Sequence, residues 1–66
     1  MDEFIEIFMA KGMSKKDAIS EFYSLKREYE EVVAEVADPT EAYDELVSLF
    51  RRFGLSADYI DEMAMC

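Results

Sequence analysis

Apolar side chains at Ala18, Phe22, Leu25, Tyr29, Val32 and Val36 recur at alternating steps of four and three. That spacing places all six on one stripe of a helix. Ser14 stands before the stripe as an N-cap, and Asp17 three residues later makes an S-x-x-D close to a capping box. The pattern predicts one long helix over residues 14–37, about 36 Å at 1.5 Å per residue. The shorter elements are organised on it.

Before this helix, residues 2–11 predict a first helix with acids at its start and Lys11 at its end, as the macrodipole prefers. Its apolar residues Phe4, Ile5, Ile7, Phe8 and Met9 spread over about 200° of the circumference, twice the stripe of a surface helix. Such an arc fits a short helix sunk in a small core, or one with a flank around Ile5 and Met9 that faces a partner. Gly12-Met13-Ser14 reads as a compact joint: Gly12 at the left-handed C′ position, Met13 folding back on Phe8, Ser14 capping the next helix. Gly54-Leu55-Ser56 repeats that grammar, with Leu55 placed to touch Phe50 behind it and Ile60 ahead.

Asp38-Pro39-Thr40-Glu41 ends the long helix and starts the third almost without a linker. Asp38 is the expected N-cap, Pro39 sits at N1 where its missing N–H costs nothing, and Glu41 at N3 closes the box. The third helix is expected to run to Phe53 on a stripe of Tyr43, Leu46, Phe50 and Phe53, flanked by Ala42, Val47 and Leu49. A short fourth helix over residues 57–63 turns Tyr59, Ile60 and Met63 inward. The expected core centre is Phe22, Leu25, Tyr29, Leu46 and Phe50. The fold class is therefore all-α: a small bundle of three main helices plus a short C-terminal fourth, in one domain over residues 1–66.

Size makes that domain a marginal one, since a chain near 60 residues buries only about 60% of its unfolded surface. The single cysteine, Cys66, has no second thiol to pair with, and histidine is absent, which removes the commonest zinc arrangements. A hydrophobic fraction of 52% is too high for disorder. There is no apolar run near the membrane-spanning length, and Met1-Asp2-Glu3 is acidic where a signal peptide needs positive charge. We expect a cytoplasmic protein that does not bind membranes.

Charge changes the picture more. Sixteen acids against seven bases give a net charge of −9. This disfavours direct nucleic-acid binding, whose affinity comes from Lys and Arg displacing counterions from phosphate. Leu49, Phe53, Gly54, Leu55, Ile60 and Met63 fall at the spacing of a helix-turn-helix core, so the stretch resembles that motif. Yet Phe50 stands where a small residue lets the two helices approach, and Asp58, Asp61 and Glu62 would face phosphate. The stretch reads as a tight helix corner.

Catalysis and metal binding find little support. No D-x-D-x-D-G loop exists for calcium, and no nucleophile stands with an orienting base. We expect no enzyme, no cofactor and no metal. Helix 2 has about two and a half heptads, short of a coiled coil, although a parallel pairing of Glu21 with Lys26 would suit a dimer.

The unusual feature is the distribution of acids. No Lys or Arg occurs from Glu28 to Phe50, whereas Glu28, Glu30, Glu31, Glu35, Asp38, Glu41, Asp44 and Glu45 lie in that span. Along the long helix the charges oppose the dipole, with Lys15 and Lys16 first and the glutamates last, so helix formation does not explain the order. The sequence thus points to a non-enzymatic protein–protein interaction module, a small regulator or inhibitor of a larger protein or complex. Its expected partner is a protein with a basic surface, met by Glu28, Glu31, Glu35, Asp38, Glu41 and Glu45, with Ile5 and Met9 as the apolar flank. Two alternatives share the composition: an acidic nucleic-acid mimic that blocks a DNA- or RNA-binding protein, and a structural subunit of a homo-oligomer. With no disulfide or zinc staple in view, the wide apolar arc of helix 1 and the overhanging length of helix 2 also favour a homodimer or higher oligomer.

Overall fold

The computed structural model describes residues 2–65. Met1 and Cys66 lie outside the described residues, and with them the reading of Cys66 as an unpaired thiol. Four helices follow in order: α1 (Asp2–Ala10), α2 (Lys15–Glu35), α3 (Pro39–Arg52) and α4 (Tyr59–Ala64). No strand occurs among the described residues. The protein is all-α, with the long α2 in the middle, packed against α1 and α3, and α4 packed on α3.

The joints form where the local chemistry demands them. Gly12, at φ 105°, lets its N–H reach the Met9 carbonyl (3.0 Å) while the Met13 N–H reaches the Phe8 carbonyl (3.2 Å). Gly54, at φ 77°, repeats the pair: its N–H donates to the Arg51 carbonyl (3.0 Å), and Leu55 N–H to the Phe50 carbonyl (2.8 Å). Both are Schellman endings, which need the left-handed residue that glycine supplies without a Cβ penalty. Ser14 caps α2, its hydroxyl accepting from the Asp17 N–H at 3.2 Å. Asp38 caps α3, but its carboxylate accepts from Thr40 N–H (2.9 Å), one position earlier than a bond closing on Glu41.

The fourth helix starts later than its sequence pattern predicts. The Tyr59 and Ile60 N–H groups bond three residues back, to the Ser56 and Ala57 carbonyls (both 3.1 Å), and Ser56 Oγ accepts from Asp58 N–H (3.3 Å). A serine hydroxyl that bonds the backbone two residues on holds a turn, so regular helix begins only at Tyr59.

The core differs from the expected one in where it is centred. Phe4, Phe8, Phe22, Leu25, Leu49 and Phe50 are its most enclosed large side chains, with Ile5, Ala18, Leu46, Leu55, Ile60 and Met63 buried around them. Phe4 ties the layers together, its ring 5.5 Å from Phe22 on α2 and 5.9 Å, edge on, from Tyr59 on α4. The wide apolar arc of α1 is thereby largely explained by burial: Phe4, Ile5 and Phe8 are core residues, and Ile7 packs against them. Tyr29, expected at the centre, is only partly buried, and Tyr43 is exposed while Leu49 takes the inward place beside Leu46.

One cause accounts for these shifts. The nine residues of α1 span about 13 Å, whereas the 21 of α2 span about 31 Å, so the third layer ends partway along the hairpin. Between Leu25 and Leu46 no residue is buried. The C-terminal half of α2 and the N-terminal half of α3 therefore project as a two-helix arm, and the molecule measures 36 × 19 × 17 Å. Among the described residues no helix is long and apolar enough to cross a membrane.

Candidate functional site

The arm holds the acidic span. Its helices are joined through the Asp38-Pro39 corner, where proline ends α2 sharply and fixes the antiparallel return. Stepping by three and four along α2 places Glu28, Glu31 and Glu35 on one flank of the Val32–Val36 stripe. On α3, Asp44, Glu45, Ser48 and Arg52 fall on the flank facing the same side.

Together they wall an open groove of about 560 Å³ between the two helices. The half-buried Val32 and Val36 supply its accessible apolar lining over the buried Leu49, with Glu28, Glu31 and Glu35 on one wall and Asp44, Glu45, Ser48 and Arg52 on the other. Five carboxylates against one guanidinium make the groove strongly negative, and the charge is uneven along it. Glu35, Asp44 and Glu45 lie toward the corner, whereas Arg52 sits at the far end of α3 with Glu28. No protein-family model, curated protein or solved structure matches the chain.

Of the residues expected at a partner surface, the groove brings together Glu28, Glu31, Glu35 and Glu45. Asp38 and Glu41 are exposed but stay out of it: the Asp38 carboxylate caps α3, and Glu41 lies in the first turn beyond. The apolar flank of α1 is not built as expected. Ile5 is only 8% exposed, a core residue with little surface left for a partner, and Met9 alone remains substantially exposed at 43%.

Asp44 belonged to the acidic span without being singled out, and it joins the site. Val32 and Val36, expected on the inward stripe, are only partly buried and line the groove, whereas Leu49 borders it from within the core. The available signal was the mismatch in helix length: apolar residues that continue past the reach of α1 must meet either solvent or another molecule. A smaller hollow of about 310 Å³ over Met13, Asp17, Ser20, Glu21 and Ser24 has only Met13 as an apolar contact, so it offers less to dock against. Among the described residues no group of three or more Asp, Glu, His or Cys is arranged to hold a metal ion.

Proposed function

We propose that the protein is a non-enzymatic interaction module, a small regulator or inhibitor that docks on a larger protein with a basic surface. The groove between α2 and α3 is the observation that supports this reading. Carboxylates on both walls attract and orient a positive partner, and the apolar lining gives that partner something to desolvate. Charge order along α2 agrees: no basic residue lies in its last turn, contrary to the dipole, so a cause outside helix stability is needed.

The nucleic-acid mimic is the rival that shares the charge, and salt separates the two. A mimic holds its target through carboxylates alone, so its affinity collapses as ionic strength rises, whereas apolar contacts in the groove persist. Self-association has its own support in Val33 and Tyr43, which are 53% and 51% exposed on the part of the arm that α1 does not reach. A second copy laid there would add the layer that α1 leaves incomplete.

The test begins with capture of the partner from the native host and continues with association kinetics at two ionic strengths. Glu31→Lys/Glu35→Lys is expected to lower the association rate at low salt by about tenfold, with the loss shrinking as salt rises. Unchanged binding by this double variant at low salt would refute the reading.

A further inference from the structure

We infer that the groove between α2 and α3 receives an amphipathic, basic α-helix of another protein. This rests on the interaction reading above and names the class of partner for the same surface. Three features of the groove point to a helix with basic flanks. Its walls run from Glu28 to Val36 on α2 and from Asp44 to Arg52 on α3, about 12 Å of helix axis on each side, or roughly two turns of an incoming helix. An accessible apolar strip of Val32 and Val36, backed by the buried Leu49, lies between the walls and suits the apolar face of such a helix. Carboxylates on both sides of that strip match lysines or arginines flanking the stripe on both sides.

An extended peptide suits the site less well. No strand exists among the described residues, so the groove offers no sheet edge to pair with the peptide's own N–H and C=O groups. A helix brings those groups already satisfied. It would also add a layer, lying against α2 and α3 at ordinary helix-packing distance. A second copy of this chain is the wrong occupant here. With a net charge of −9 it would bring more carboxylates to a wall that already holds five.

Arg52 adds a prediction of opposite sign. It is the one base in the groove lining, so it repels a cationic helix at the end away from the corner. Arg52→Gln should tighten the helix, while Glu31→Lys/Glu35→Lys should release it.

The probe is a fluorescent peptide with leucines at i, i+4 and i+7 and lysines on both flanks, set against a scrambled peptide of identical composition. Fluorescence anisotropy is read on the full chain at about 50 and about 300 mM salt, where the Debye length falls from about 14 to about 6 Å. The amphipathic peptide should bind at least about tenfold tighter than the scramble, a difference of about 1.4 kcal/mol. Glu31→Lys/Glu35→Lys should abolish the preference, and Arg52→Gln should raise the affinity severalfold, with circular dichroism showing all variants folded. Equal, salt-sensitive binding of both peptides, lost in the double variant, overturns the helical occupant and leaves the acidic-groove reading standing. Binding indifferent to the double variant, or no binding of either peptide, overturns both.

Discussion

At the scale of single residues, two glycines and one leucine make the fold possible. Gly12 and Gly54 both hold positive φ, and what a side chain would meet there differs. A Cβ on Gly12 meets nothing within 4 Å, so Gly12→Ala isolates the backbone term and should cost about 1–2 kcal/mol in a urea titration. At Gly54 the Cβ would come 3.2 Å from Lys11 Nζ, the end of a flexible chain that can swing away, so Gly54→Ala should cost a similar amount. Leu25 is fully enclosed at the middle of α2, and Leu25→Ala should cost about 2–5 kcal/mol through lost transfer energy and the cavity left behind. In a domain this small that is most of the stability, so its helical circular dichroism should melt at or below room temperature. An unchanged melt would mean that α2 turns another face inward.

At the scale of elements, the chain is written so that caps and stripes agree, except in the second half of α2. Glu35 stands in the last turn of α2 with Glu31 just before it, at the negative end of the helix dipole, where an exposed charge costs about 0.3–1 kcal/mol at low salt. Glu31→Lys/Glu35→Lys should therefore leave the melting temperature unchanged or raise it, while weakening partner binding. A lowered melting temperature would show that the two glutamates serve the fold. The four helices, both glycine endings, the Ser14 and Asp38 caps and the first half of the α2 stripe (Ala18, Phe22, Leu25) were legible in the residues, because each rests on interactions within a few positions in sequence. The exchange of Tyr43 for Leu49 was not, since both lie 60° from Leu46 on the α3 wheel and only the reach of α1 decides between them. The late start of α4 depends on the Ser56 turn, a choice between two local hydrogen-bond patterns that sequence spacing leaves open. The acids of the site were legible as a run without a base; the groove that collects five of them needed the three-dimensional length mismatch of α1 and α2.

At the scale of the whole molecule, a compact three-layer end carries a two-layer arm, and the arm has two unlike faces. One is the acidic groove; the other, outside the groove lining, leaves Val33 and Tyr43 half exposed. Self-association through the second face should appear as a mass above 7.7 kDa in light scattering after size exclusion at micromolar concentration. Val33→Asp should shift it to the monomer without changing the groove. A single 7.7 kDa species over a wide dilution range would remove the dimer and leave the groove untouched. The central claim, that the groove is where this protein meets its partner, is tested most directly by amide NMR of the isotope-labelled chain with the captured partner. Cross-saturation from the partner should fall on residues 28–36 of α2 and 44–52 of α3, and be lost from them in Glu31→Lys/Glu35→Lys. Saturation confined to α1, to α4 or to the Lys15-Lys16 end of α2 would contradict it.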